Sequence, residues 1–106
     1  MAERRCASID IGTNTVRLLI ADLEVDGGLS PVAVERSITR LGGGYSEESG
    51  IASGAIERTV NALQGFVNSI KRYGVDDIEA VATSVVRRAR NGADFTGRVR
   101  ERTGID

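Results

Sequence analysis

One short stretch of the chain, residues 7–18, places a carboxylate beside a glycine turn that is rich in polar side chains. Asp10 lies between Ile9 and Ile11. Burying an unpaired carboxylate is costly, so we expect a cation or a hydrogen-bond donor to meet it. Gly12 allows a sharp turn and lets a ligand approach the backbone N–H groups. Hydroxyl and amide side chains that suit phosphate follow it: Thr13, Asn14 and Thr15. Together these features indicate a metal-phosphate site.

The same stretch has a simpler interpretation as a β-hairpin in which Asp10 caps its own turn. Short motifs of the type Asp-x-Gly-Thr often match by chance, so the residues alone leave both interpretations open. A second glycine-rich run, residues 42–44, resembles a phosphate-cradling loop only superficially, because no Gly-Lys-Ser or Gly-Lys-Thr follows it.

Arginine dominates the basic residues of the chain. Of the 14 basic residues 13 are arginine, and six of these fall between Arg87 and Arg102. The planar guanidinium binds phosphate oxygens in pairs, so this bias is compatible with a polyanionic ligand. A GC-rich genome that favours arginine codons, together with a solvated helix face, explains the same bias without a ligand.

Length and composition narrow the class of protein. The 106 residues suffice for one domain at most, residues 1–106, and 41% hydrophobic residues with only 4% aromatic residues fit an α/β core. A net charge of -1 argues against a general nucleic-acid surface. No apolar run is long enough for a membrane span or a signal peptide, so we expect a soluble cytoplasmic protein. Cys6 has no second cysteine with which to form an intrachain disulfide.

An almost continuous apolar run predicts a central strand at residues 6–11, and apolar alternation predicts two further strands at residues 15–23 and 31–39. Asp26, Gly27 and Gly28 supply the positive-φ turn that a hairpin requires. We therefore expect three antiparallel strands, followed by a mobile polar loop through Gly50.

From Ser53 onward the period becomes helical. The apolar stripe predicts a helix with Ser53 as its N-cap, Lys71 and Arg72 in its last turn and Gly74 after it. A strand over residues 78–83 should then pair parallel to the first strand. Two shorter helices are expected to follow, one capped by Ser84 and running through Arg90 to a break at residues 91–92, the other over residues 94–102.

Three segments in this order resemble the exopolyphosphatase and guanosine-pentaphosphate phosphatase (Ppx/GppA) family. They are Ser-Ile-Asp-Ile-Gly-Thr-Asn-Thr-Val-Arg-Leu-Leu-Ile from Ser8, Thr-Arg-Leu-Gly from Thr39, and Ala-Thr-Ser-Val-Val-Arg-Arg-Ala-Arg-Asn-Gly from Ala82. The resemblance covers essentially the whole chain. It implies an actin-like, ribonuclease-H-like first domain with a mixed sheet whose fifth strand is missing, and an active site that faces a second such domain.

The resemblance also implies roles for particular residues. Asp10 would bind a divalent ion such as Mg²⁺ through water, and Arg87 would bind phosphate in bidentate fashion. The helix N-terminus at Ser84 would favour the same anion. The remaining phosphate-binding positions implied are Gly12, Thr13, Asn14, Thr15, Arg17 and Arg40.

The family's glutamate base and second phosphate loop are expected beyond Asp106. The resemblance therefore implies one wall of a phosphoanhydride hydrolase that acts on polyphosphate or guanosine pentaphosphate, and we expect the 106 residues alone to be inactive. An actin-fold kinase, or a non-catalytic module that binds polyphosphate or alarmone nucleotides, remains an alternative. An open sheet edge at the fourth strand further predicts a homodimer, and we expect neither nucleic acid nor a membrane as a partner.

Overall fold

The computed structural model describes residues 2–82 and 84–105, with side chains for residues 4–82 and 85–105. Within them one mixed sheet is formed by β1 (Ala2–Ile11), β2 (Thr15–Glu24), β3 (Leu29–Ile38) and β4 (Asp77–Ala82). The strand order is β3-β2-β1-β4. The pairs β1–β2 and β2–β3 are antiparallel, whereas β1–β4 is parallel. This confirms the predicted three antiparallel strands followed by a parallel fourth strand.

The helices are α1 (Ser53–Tyr73), α2 (Ser84–Arg88) and α3 (Gly92–Thr103). Their apolar residues and alternate strand residues form a single core. On the sheet, the fully buried contributors are Ile9, Val16, Leu18 and Ile20. No helix of the described residues is both long enough and apolar enough to cross a membrane.

The other side of the sheet, which we call the open face, carries the alternate residues of the same strands. Leu19, Val34 and Val81 are 39%, 68% and 55% exposed there. Asp10 and Arg17 also lie on this face, and both are exposed. The expectation that Asp10 would be buried was therefore wrong, because the two-residue period of a strand turns it away from Ile9 and Ile11.

The long helix α1 agrees with the predicted apolar stripe, since Ile56, Val60 and Leu63 are all buried. Gly74 has φ 68° and its N–H donates to the carbonyl oxygen of Ile70, which confirms the predicted C-terminal cap. The predicted N-cap was wrong, because Ser53 is already helical. The cap position is Ala52, which has an extended backbone and no side-chain hydrogen bond.

The segment after β4 contains a shorter helix than predicted. α2 ends at Arg88, because the chain turns back at once. A Cβ atom added to Gly92 would lie 2.0 Å from the carbonyl oxygen of Val86, an approach that only glycine permits. α3 then begins at residue 92, two residues before the predicted start. Thr83, placed in a strand by the sequence, and the proposed cap by the Ser84 side chain lie outside the described residues and side chains.

β1 is longer than predicted because Arg5, near its start, forms hydrogen bonds with neighbouring elements. Arg5 donates to both carboxylate oxygens of Asp22, at 2.7 and 3.2 Å, and to the carbonyl oxygen of Tyr73 at 2.7 Å. Its backbone also exchanges hydrogen bonds with Asp76. Contacts with three other segments thus hold a polar sequence in the sheet.

Candidate functional site

The strand directions bring the chemically promising residues to one edge of the sheet. β1 ends at Ile11 and its parallel neighbour β4 ends at Ala82. β2 begins, and β3 ends, at the same edge, because each runs antiparallel to the strand before it. The carboxyl ends of parallel strands are the usual place for a ligand in α/β proteins. Three segments lie at this edge: residues 12–15, residues 39–43, and residues 84–91, which include α2.

The first loop, residues 12–15, is a tight turn that needs glycine at its first position. The N–H of Gly12 donates to the carbonyl oxygen of Thr15 at 3.0 Å. A Cβ atom at Gly12 would lie 2.8 Å from that oxygen. The Gly12 N–H is therefore used within the turn, whereas the side chains of Thr13 and Asn14 are exposed. Polar side chains, rather than the Gly12 amide, face outward from the loop.

The second loop, residues 39–43, is hydrogen-bonded to the first through the backbone. The carbonyl oxygen of Asn14 accepts from the N–H groups of Thr39 at 2.9 Å and of Arg40 at 3.0 Å. The carbonyl oxygen of Thr13 accepts from Gly42 at 2.9 Å. A Cβ atom at Gly42 would lie 2.5 Å from Cγ2 of Thr13, so a larger residue here would require the Thr13 side chain to move. The structure thus places the predicted site residue Arg40 beside the predicted phosphate loop.

Arg40 has an unusual backbone. Its φ of 50° is positive, which no other non-glycine residue shows among those described. Such a conformation is rare for a side chain of this kind and is found where surrounding contacts hold it. Here the Arg40 N–H donates to Asn14 and its carbonyl oxygen accepts from Gly43 at 2.9 Å. The guanidinium is left exposed at the site.

Arg58 on α1 supports this loop, a contact that the sequence did not predict. Its Nε donates to the carbonyl oxygen of Thr39 at 2.9 Å, and its Nη2 donates to that of Arg40 at 3.3 Å. In the sequence, Arg58 looks like an ordinary polar residue on the solvated face of an amphipathic helix. No pattern within α1 indicated this contact with a segment 18 residues earlier.

Asp10 lies directly opposite Arg17 in the β1–β2 register. Within the described residues, neither side chain forms a hydrogen bond or an ion pair. The carboxylate does not cap its own turn, so the structure does not support the simpler hairpin interpretation. Both charges remain available to a ligand at the carboxyl end of β1.

A divalent ion is compatible with this arrangement. No group of three or more acidic, cysteine or histidine side chains that could hold a metal occurs among the described residues. Mg²⁺ does not require such a group, because it keeps several waters and is often held by one or two carboxylates together with substrate phosphates. Asp10, exposed and without a protein partner, fits that requirement.

Arg87 lies at the same edge. Its Nη1 donates to the carbonyl oxygen of Ala82, the last residue of β4, at 3.4 Å, and its side chain is exposed. The expected help from a helix N-terminus at Ser84 is small, because α2 has only five residues and therefore a short macrodipole. Anion binding at this position would rest on the guanidinium itself.

Asn91 and Arg90 have a structural role that the sequence did not reveal. Oδ1 of Asn91 accepts from the N–H of Ile51 at 2.8 Å, and its Nδ2 donates to the carbonyl oxygen of Ile51 at 2.9 Å. Nη1 of Arg90 donates to the carbonyl oxygen of Glu48. These hydrogen bonds and a β-bridge between Ser46 and Gly50 connect the polar loop that ends at Gly50 to the rest of the fold. The sequence had predicted a mobile loop there.

Comparison with known proteins gives a consistent result. A sequence profile described as the Ppx/GppA phosphatase family matches residues 19–106. Exopolyphosphatase 2 of Mycobacterium tuberculosis is 39% identical over 94 residues, which cover 86% of this chain and 30% of that protein. Exopolyphosphatase 1 of the same species is 29% identical over 102 residues, covering 96% of this chain and 30% of that protein.

Solved structures show the same likeness. The Ppx/GppA family member of Aquifex aeolicus matches with a TM-score of 0.90 at 38% identity, covering 96% of this chain and 33% of that structure. An exopolyphosphatase from Cytophaga hutchinsonii matches with a TM-score of 0.91 at 31% identity, covering 97% of this chain and 33% of that structure. The chain thus spans about a third of the length of the relatives that it matches.

Proposed function

Because the chain belongs to the Ppx/GppA phosphatase family and has the actin-like α/β fold of its structural neighbours, we propose that it supplies one wall of a phosphohydrolase site. The reaction would release terminal orthophosphate from inorganic polyphosphate or from guanosine pentaphosphate. One observation carries this proposal. Two loops that are hydrogen-bonded through their backbones bring Asn14 and Arg40 together at one edge of the sheet. At the same edge the side chains of Asp10, Arg17 and Arg87 are exposed, and among the described residues none of them forms an ion pair.

The polar side chains of the first loop would bind the terminal phosphate. Thr13, Asn14 and Thr15 would donate to its oxygens, while the guanidinium groups of Arg40 and Arg87 would face the negative charge that spreads over the transferred phosphoryl group. Arg87 is suited to this task because a 3.4 Å contact with a carbonyl oxygen is weak and is easily exchanged for phosphate.

A divalent ion would complete the site. Asp10 would hold Mg²⁺ together with the substrate phosphates, and the bound ion would supply positive charge against the phosphate oxygens. We expect Mg²⁺ to strengthen polyphosphate binding by the wild-type chain, and Asp10→Asn to lose most of that gain. Titration of polyphosphate with and without Mg²⁺ measures both. A gain that Asp10→Asn retains in full would argue against Asp10 as the ligand.

Turnover needs a general base that activates water. The family resemblance implies a glutamate base beyond Asp106, and the chain spans about a third of the length of its relatives. We therefore infer that the base lies in a segment outside the 106 residues, and that the chain alone binds substrate without hydrolysing it. Phosphate release would be followed with polyphosphate, guanosine pentaphosphate and ATP. Turnover within about tenfold of a typical 10 s⁻¹ would refute this inference.

Binding tests the site itself. We expect weak, salt-sensitive binding of polyphosphate, since the exposed charges are screened by salt and only one wall of the site is present. Arg87→Ala should weaken this binding by about tenfold, corresponding to one charge-assisted hydrogen bond. Arg72→Ala removes an arginine near the C-terminus of α1 and serves as the matched control. Equal affinities of wild type and Arg87→Ala would count against the assignment.

The proposed partners follow from the same features. Polyphosphate or guanosine pentaphosphate would be the ligand, in the cytoplasm, whereas nucleic acid is not expected because the net charge is -1. We also propose that the chain forms a homodimer through the edge of β4 that pairs with no strand among the described residues. Val81 is 55% exposed on this strand, whose pairing with β1 occupies one side of it.

A further inference from the structure

Arg36 on β3 lies directly opposite Arg17 on β2 in the antiparallel register. Arg17 is in turn opposite Asp10 on β1, so the three side chains form a row across the open face. All three are exposed. In the part of the chain that the structure describes, no hydrogen bond or ion pair engages the side chain of Arg36.

The charges of this row do not balance. Two like charges directly opposite each other on neighbouring strands are destabilising, and Asp10 can neutralise only one of the two arginines. Along β3 the neighbours of Arg36 on the same face are Val34 and Ile38, which are 68% and 70% exposed and carry no charge. The row therefore has an excess positive charge at its β3 end, where an anion would relieve the repulsion.

We propose that Arg17 and Arg36 form a second phosphate subsite, which binds the inner phosphates of a polyphosphate chain while residues 12–15 hold its end. This inference rests on the function proposed above. Asp10 and Arg36 are separated by two strand spacings, roughly 10 Å, so a ligand that meets both must carry several phosphates. Pyrophosphate held beside Asp10 has only two phosphorus atoms with which to span this distance, whereas a long chain continues toward Arg36. The subsite thus favours long polyphosphate over short phosphate chains.

An exposed charge on an edge strand has another common role, since it discourages pairing with a second sheet. The two roles differ in their consequences. A subsite predicts that Arg36 affects the affinity for long polyphosphate. A merely protective charge predicts no effect on affinity and more aggregation when the charge is removed.

The test measures binding of pyrophosphate and of a long-chain polyphosphate to the 106-residue chain by calorimetry at low salt. Arg36→Ala should weaken the binding of long polyphosphate by about three- to tenfold, which corresponds to one charge-assisted contact. Its affinity for pyrophosphate should stay within about twofold of wild type. Arg36→Lys should recover part of the loss, since it keeps the charge without the planar fork. Arg72→Ala is the control for net charge.

The outcomes separate this inference from the function on which it rests. If wild type binds long polyphosphate and Arg87→Ala weakens it, but Arg36→Ala does not, the second subsite is overturned and the proposed function stands. Equal losses for both ligands with Arg36→Ala also overturn it, because they indicate a general charge effect. If wild type binds neither ligand, both proposals are overturned.

Discussion

Nε of Arg58 donates a hydrogen bond of 2.9 Å to the carbonyl oxygen of Thr39, and so fixes the loop that presents Arg40 to the long helix α1. A hydrogen bond from a charged group contributes more than a neutral one. We expect Arg58→Ala to lower the free energy of unfolding by about 1–2 kcal/mol. It should also weaken polyphosphate binding, because Arg40 loses its support. Urea unfolding and calorimetry measure the two effects.

Arg72→Ala again provides the control, because it removes an arginine from the same helix at the opposite end. Its guanidinium donates to Oγ of Ser69 at 3.1 Å and has no part in the site. If Arg58→Ala destabilises the chain no more than Arg72→Ala does and leaves binding unchanged, the proposed support of the loop is wrong.

Thr39 itself contains a buried hydroxyl without a partner. The residue is 1% exposed, and its Oγ1 has no hydrogen bond within the part of the chain that the structure describes. An unsatisfied buried hydroxyl costs about 1–3 kcal/mol, and valine has nearly the same shape. Thr39→Val should therefore raise the free energy of unfolding by about 1 kcal/mol. Thermal or urea unfolding tests this, with Thr59→Val as the control.

The control is informative because Oγ1 of Thr59, which is also fully buried, donates to the carbonyl oxygen of Ala55 at 2.8 Å. Thr59→Val should be neutral or destabilising. A loss of stability in Thr39→Val would show that its hydroxyl does have a partner in solution, and would point to a role for it in the loop.

The sequence predicted the elements that depend on local periodicity. The apolar alternation of β2 repeats over several residue pairs, and the apolar stripe of α1 repeats over several helical turns. The buried face of each element can therefore be predicted from the sequence alone. Gly74 was also predicted correctly, because a glycine that follows basic residues in a last turn is a local signal. The parallel pairing of β4 with β1 was predicted from the helical crossover that precedes β4.

The site was only partly predictable, because its construction depends on contacts between distant segments. The hydrogen bonds from Thr39 and Arg40 to the carbonyl oxygen of Asn14 join backbone atoms, which every residue has. The residue types therefore do not predict them. Arg58 and Asn91 act through carbonyl oxygens of other loops in the same way. The error over Asp10 had a different cause: Asp10 lies in an almost continuous apolar run, which is typical of a buried central strand, whereas its side chain lies on the open face.

The ion pair between Arg5 and Asp22 predicts a dependence of stability on pH. The hydrogen bonds from Arg5 hold the pKa of the Asp22 carboxyl below its usual value, and they raise the pKa of Arg5. A carboxyl with a lowered pKa stabilises the fold above its unfolded pKa, about 4, and this contribution is lost as the pH falls further. Asp22→Asn should therefore be less stable than wild type at pH 7.

The difference between Asp22→Asn and wild type should begin to shrink as the pH falls below about 4, where the carboxyl of the unfolded chain takes up its proton, and should level off below the lowered pKa of the folded Asp22 carboxyl. Urea unfolding between neutral and acid pH measures this. Glu101→Gln, which removes an exposed carboxylate from α3, is the control and should follow the wild-type profile. A constant difference between Asp22→Asn and wild type at every pH would contradict the proposed titration.

The last prediction concerns the free edge of β4. This strand pairs with β1, and among the described residues no strand pairs with its other edge. Ile78 and Val81 are 50% and 55% exposed on it. Beside the strand lies an apolar groove of about 150 Å³, whose lining includes Ile11, Ala80, Phe95, Val99 and Ile105. Unpaired strand edges and exposed apolar grooves favour association, so we expect dimers at high concentration.

Val81→Lys should weaken this association by about tenfold, or about 1.4 kcal/mol, because a charge on an edge strand opposes pairing with another strand. Val34→Lys places the same charge at a similarly exposed valine on the opposite edge strand, β3, and should leave the association unchanged. Sedimentation equilibrium at several concentrations distinguishes the two variants. If Val34→Lys disrupts the dimer while Val81→Lys does not, the contact lies at β3. If the wild-type chain stays monomeric at every concentration, the predicted dimer is wrong.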